Sequence, residues 1–102
     1  MVRTSSWYPR EFQLEQNYPN PFNPSTTIRF LVPTRSHVTV TIYNILGQKV
    51  ADIVNSDFQA GTYEKAWEGN VASGIYFYRI EATSSDSPQK KFVDVKKMVL
   101  IK

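Results

Sequence analysis

One histidine, nine carboxylates and no cysteine are the obvious reactive side chains of this 102-residue sequence. Without cysteine there is no disulfide framework, no thiolate zinc site and no cysteine nucleophile, and oxidising and reducing compartments stay equally open. His37 could act as a general base, yet it stands at a turn-to-strand boundary with no serine or cysteine motif to serve, and reads as a polar turn residue. The acids are scattered from Glu11 to Asp94. Glu64 and Glu68 could form a glycosidase-like pair only by tertiary accident, because strand residues four apart are separated by about 13 Å. Four glycines leave little room for a phosphate-cradling loop. Asn17, Asn20, Asn23 and Ser25 could lend oxygens to calcium, but affinity grows with ligand charge and none of them carries any. Capping of turns is their better use. The residues therefore point to no catalytic centre, no cofactor and no metal.

Aromatic residues make the strongest case for binding. Tyr63, Trp67, Tyr76 and Tyr78 could stack against sugar rings, the basis of an alternative reading as a carbohydrate-binding or adhesion module. A domain this size also needs large side chains to fill its core. Charge is informative at one end only. The net charge is +3, and from Gln89 onward five lysines face Asp94 alone, so the remainder is slightly acidic. Such a segment could meet phosphate, but no recognition helix or nucleic-acid motif accompanies it, and lysines also protect an edge strand from aggregation. No nucleic-acid partner is expected.

The elements that must position these residues follow from periodicity. Residues 1–10 are polar and read as a linker; residues 11–102 read as one domain. Phe12 and Leu14 alternate with polar neighbours. From Asn17 to Thr26 three prolines in six residues exclude a central strand and predict an ordered loop pinned by Tyr18 and Phe22. Alternation returns over Thr27–Val32 and, most clearly, at Val38, Val40 and Ile42. Gly47 is free to take positive φ in the following turn. Val50 and Ile53, three apart, suggest a bulged strand or a short helical turn over Lys49–Val54, with the strand favoured; Asn55–Gly61 predicts a loop, and Thr62–Trp67 a further strand. Ile75–Ile80 is strongly β-prone, and Tyr76, Tyr78, Ile80 and Ala82 share one face. After a polar loop over Thr83–Lys90, the last strand runs from about Phe92 to Ile101. About seven short strands without a helix-length pattern predict an all-β, antiparallel sandwich of immunoglobulin-like type. The start has no apolar leader and the longest aliphatic run is Met98–Ile101, so no transmembrane segment is expected and the chain reads as one module of a larger protein.

Four motifs carry a resemblance. Tyr18-Pro19-Asn20-Pro21-Phe22-Asn23-Pro24-Ser25-Thr26-Thr27-Ile28 resembles the opening motif of the C-terminal sorting domains of type IX secretion. Val40-Thr41-Ile42-Tyr43-Asn44-Ile45-Leu46-Gly47-Gln48-Lys49-Val50 is similar to the second. Ala60-Gly61, Trp67 and Ala72-Ser73-Gly74-Ile75-Tyr76-Phe77-Tyr78-Arg79 are similar to the third. Lys96-Lys97-Met98-Val99-Leu100-Ile101-Lys102 is similar to the last. Each is modest alone; four in order, from about residue 12 onward, make a strong signal. The stretch from Ser84 to Val95 departs from the pattern, being longer and more polar.

The resemblance implies an immunoglobulin-like sandwich, related to the corresponding domain of the flagellar hook-capping protein. It implies a non-enzymatic module that sends a covalently linked upstream cargo to the cell surface or medium by way of the periplasm. Its implied partners are the outer-membrane secretion machinery and a sortase-like peptidase. By position, Lys96, Lys97, Met98, Val99, Leu100, Ile101 and Lys102 would carry the address, Gly47 and Gly74 would shape presenting turns, and Pro19, Asn20, Pro21, Phe22, Asn23, Pro24 and Trp67 would hold the framework. A last strand with unpaired edge groups and flanking lysines would dock by strand addition.

Overall fold

Alternating apolar and polar residues build seven antiparallel strands among residues 9–102, the part that the computed structural model describes. These are β1 (Gln13–Leu14), β2 (Ser25–Val32), β3 (Ser36–Asn44), β4 (Lys49–Phe58), β5 (Gly61–Glu68), β6 (Gly74–Ser84) and β7 (Lys91–Leu100). Strands β1-β2-β5 form one sheet and β4-β3-β6-β7 the other. Two facing sheets with this neighbour order match the division of an immunoglobulin-like sandwich. The expected linker lies outside the described residues up to position 8, and Pro9 and Arg10 belong to no strand.

Period-2 alternation decides which face is buried. Ile28, Phe30 and Val32 of β2 turn inward, as do Val38, Val40 and Ile42 of β3. Tyr76, Tyr78, Ile80 and Ala82 of β6 and Met98 and Leu100 of β7 complete the core. The sheets' corners are closed by the short β4–β5 connection on one side and by β1 lying near β7 on the other. At that second corner Phe12 stacks on Phe92, with ring centroids 5.6 Å apart.

Two expectations need correction. Asn55–Gly61 is not a loop throughout, because β4 continues to Phe58 in register with β3, pairing His37 with Asp57 and Ser36 with Phe58. The polar run Asn55-Ser56-Asp57 hides this extension, since an edge strand can carry polar side chains on both faces. Phe58 closes it by an edge-on contact with Phe30 at 5.4 Å. The bulges expected in this strand pair do occur, as register shifts at Val40/Thr41 and Ile42/Tyr43. The second correction concerns Tyr18, whose ring is 81% exposed and anchors nothing. It pins the loop by its backbone, which exchanges hydrogen bonds with Thr27 at 3.0 and 2.9 Å.

Tyr78 ties the two layers together. Its hydroxyl donates to the Glu15 carbonyl at 2.7 Å and accepts from the Asn17 N–H at 2.8 Å. Burial pushes the Tyr78 hydroxyl up to about 12, so it stays neutral and able to donate. The single atom satisfies two backbone groups at a seam where neither sheet ladder reaches them. Tyr78→Phe keeps the ring but orphans both groups, and is expected to lower stability by about 1–3 kcal/mol, read from a urea denaturation midpoint.

Candidate functional site

The Asn-Pro loop and the last strand meet, and their meeting defines one end of the sandwich. The Val99 N–H donates to Asn20 Oδ1 at 2.9 Å. The Val99 carbonyl accepts from the Phe22 N–H at 2.9 Å, and the Ile101 N–H donates to the Phe22 carbonyl at 2.9 Å. One step back, Gln16 Nε2 donates to the Lys97 carbonyl at 2.8 Å. One step onward, the Lys102 N–H reaches Ser73 Oγ at 3.0 Å. The outer edge of Lys97–Ile101 is thus taken up by the protein itself. Strand addition along these residues, as the sequence suggested, would require this loop to leave.

Phe22 locks the junction. Its side chain is buried and tilts against Trp67 at 5.9 Å, and Trp67 meets Tyr76 edge-on at 6.3 Å. Gly69 lets the chain pass over this cluster: a Cβ there would sit 3.0 Å from a Leu100 methyl and 3.3 Å from the Phe22 ring. Its N–H donates to the Pro24 carbonyl at 2.8 Å. The asparagines are structural as well. Asn17 is buried, with Nδ2 donating to Thr26 Oγ1 at 2.9 Å and to the Pro19 carbonyl at 3.1 Å.

Side chains remain available where backbone does not. Lys97 points away from the core and Lys96 takes the opposite phase, opposite Tyr78 in register and half-exposed near Asp94. Met98 and Leu100 are buried, Val99 is half-buried, and Ile101 and Lys102 are exposed. The β3–β4 turn lies at the same end. There Gly47 has φ +80°, a conformation that only glycine takes cheaply. Gly74, at φ +153°, starts β6 beside Leu100 with open space around it.

Other candidates are dispersed or used internally. Tyr76 and Tyr78 are buried, and Tyr63 and Trp67 pack against the core, so these four do not make an exposed sugar platform. Glu64 and Glu68 lie along the exposed side of β5. Among the described residues, no three His, Cys, Asp or Glu side chains gather as metal ligands would. His37 is exposed on the outer face of the central strand β3, with Nδ1 2.7 Å from Asp57 Oδ1 and Nε2 2.7 Å from Asn55 Oδ1. Two acceptors suit an imidazolium, and the Asp57 bond first, then Asn55, raises its pKa.

Residues 16–96 match the family model described as the secretion system C-terminal sorting domain. The chain belongs to this family. Its members act as sorting domains of type IX secretion, and the destination of what they sort is the cell surface or the medium. The sorting domain itself is a non-catalytic module. It is 32% identical over 76 residues to an endo-acting ulvan lyase of Formosa agariphila, an alignment covering 74% of this chain and 14% of the lyase. The sorting domain therefore spans about a seventh of that relative. Its fold matches dimeric latent PorU of Porphyromonas gingivalis with a TM-score of 0.67 and 23% identity, covering 84% of this chain and 9% of PorU. It also matches CopC of Methylosinus trichosporium OB3b at a TM-score of 0.54 and 16% identity, over 88% of this chain and 93% of CopC.

Gln16 and Gly69 are framework residues of the sorting domain that sequence reading passed over, while Asn17, named there as a turn cap, and Ser73, named within a motif, make contacts that it did not anticipate. These residues act through contacts remote in sequence. Phe22→Ala is expected to cost about 3–5 kcal/mol, measured by chemical denaturation, because the vacated space lies beneath a backbone junction that cannot collapse freely. The His37 pair sets a pH trend. Its raised pKa gives a stabilisation that is full below about 6.5 and lost as pH rises through the higher folded value. The melting temperature should therefore fall slightly across that window, and His37→Gln should flatten the slope.

Proposed function

We propose that this sorting domain presents its address as side chains on a rigid folded surface, rather than as an extended strand awaiting a partner. Lys97, Ile101 and Lys102 carry the exposed part of that address, and Met98 and Leu100 anchor it from within. Gly47 and Gly74 shape the turns beside it, while Pro19, Asn20, Pro21, Phe22, Asn23, Pro24 and Trp67 hold it in place. The observation that carries this reading is the occupied outer edge of β7: Asn20 and Phe22 use the backbone groups of Val99 and Ile101. What a receptor can still read there is the pattern of lysine and aliphatic side chains.

The reader of this surface is the outer-membrane translocation machinery, and a sortase-like peptidase cuts the link at residues 1–10. The domain proper occupies residues 11–102, with its cargo joined upstream. The cargo enters near Phe12 and Pro33, at the end of the sandwich opposite the β3–β4 turn, which keeps it clear of the address. The name of the Formosa agariphila relative supports an exported enzyme as the kind of cargo.

A reporter carrying an export signal and this domain, expressed in a host with type IX secretion, tests the reading. Lys97→Ser, Ile101→Ser and Lys102→Ser together should leave the far-ultraviolet circular dichroism unchanged and hold the reporter in the periplasm. Full delivery by the folded triple variant would overturn this placement of the address. Periplasmic retention of the unaltered reporter would overturn a sorting role for this copy.

A further inference from the structure

Exposed apolar side chains are distributed unequally over the two outer faces. The outer face of β1-β2-β5 carries Thr27, Arg29, Thr62, Glu64 and Glu68, with Tyr18 lying against it. On the other side, Ile75, Val93 and Val95 stand on the outer face of β4-β3-β6-β7, and Ile45, Leu46 and Ile101 crown the end of that sheet. Six of the seven large hydrophobic residues exposed among the described residues thus share one side of the molecule.

The most exposed aliphatic pair is held on a stiff support. Ile45 is 68% and Leu46 78% exposed at the tip of the β3–β4 turn. Beneath them, Asn44 Oδ1 accepts from the Leu46 N–H at 2.9 Å and the Gln48 N–H at 3.0 Å, and Asn44 Nδ2 donates to Gln48 Oε1 at 2.8 Å. The Asn44 carbonyl accepts from the Gly47 N–H, and the Asn44 N–H donates to the Gln48 carbonyl, both at 3.0 Å. A turn fixed so thoroughly pays little entropy when its tip becomes buried elsewhere.

Cations surround this tip. The register sets Lys49, Tyr43, Phe77 and Lys97 side by side across the four strands, with Ile75 and Val99 paired in the next row toward the turn. Lys102 follows, held by Ser73. Lys49 is paired with Asp52, whereas Lys97 and Lys102 have no carboxylate within 4.0 Å among the described residues.

We propose that this end of the domain docks on the surface of a lipid bilayer bearing anionic headgroups, with Ile45 and Leu46 inserted among the acyl chains and Lys49, Lys97 and Lys102 against the phosphates. The chemistry favours lipid over a protein groove. Leucine is under-represented among the energetic anchors of protein interfaces and lysine is depleted there, while that same pair of residue types defines an interfacial membrane anchor. The tip also projects convexly from the end of the sandwich, a shape that enters a fluid layer without a matching pocket. Two modest signals, apolar insertion and juxtamembrane lysines, together give reversible attachment. Pro9 and the entering chain lie at the opposite end, so docking leaves whatever precedes them facing away from the bilayer.

The proposal shares Lys97 and Lys102 with the address proposed above but does not depend on that reading, and it is tested on the purified chain. Flotation with phosphatidylcholine vesicles, with and without about a third phosphatidylglycerol, should show binding only to the anionic set and release by added salt. Ile45→Ser with Leu46→Ser, checked for an unchanged melting curve, should weaken binding by at least about tenfold. Lys49→Gln with Lys97→Gln and Lys102→Gln should weaken it on anionic vesicles to the level seen on neutral ones. No binding by the unaltered chain, or binding untouched by the serine pair, overturns the proposal. Export lost in the serine variant of a chain that never binds vesicles would also overturn it and assign the tip to a protein receptor.

Discussion

The backbone hydrogen bonds between Asn20, Phe22 and the stretch from Val99 to Ile101 are the constraint on which this structure depends. A final strand paired on one side only would fray and offer its free edge to any neighbour. Here the edge is closed by a loop that cannot itself become a strand, because its prolines lack the donors a ladder needs. The loop supplies isolated bonds of the right spacing instead, and Phe22 fills the space beneath them. Gly69 and Trp67 exist, in structural terms, to let that ring lie flat under the junction. Edge protection and the fixing of Val99 to Ile101 in place are therefore one device.

Much of the architecture was legible because its cause is local. Val38, Val40 and Ile42 alternate with polar residues and could bury only one face, as could Tyr76, Tyr78 and Ile80. Gly47 announced its turn by being the residue that tolerates positive φ. The end of β4 was illegible for an equally physical reason: Asn55, Ser56 and Asp57 lie on an exposed edge, where pairing with His37 and Val38 decides the strand and alternation is silent. Tyr18 misled because an aromatic beside a proline suggests an anchor, whereas its backbone does the anchoring.

The site was legible in part. The residues of the candidate site could be named from motifs, but their relation could not, since nothing in the order of residues says that Asn20 accepts from Val99. That bond limits the inference drawn from the last strand alone: at Val99 and Ile101 the outer backbone groups are taken, and side chains are what face outward there. Gln16, which holds Lys97, has no signature at all, and Ser73, which holds Lys102, was visible only as a member of a motif. Their role is purely positional and emerges only when residues distant in sequence become neighbours.

The junction also governs how the molecule comes into being. Asn20 and Val99 are 79 positions apart, so the closure of the sandwich waits on a contact between opposite ends of the folded segment. Such non-local closure pays its loop entropy before any reward arrives, and folds slowly compared with hairpins or helices. Until it happens, Phe22 has no floor and the last strand no partner on its outer side. Without the stretch from Val99 to Ile101, the Asn20–Phe22 loop is left unsealed. Possession of that distant stretch and possession of a finished surface are, in this fold, the same event.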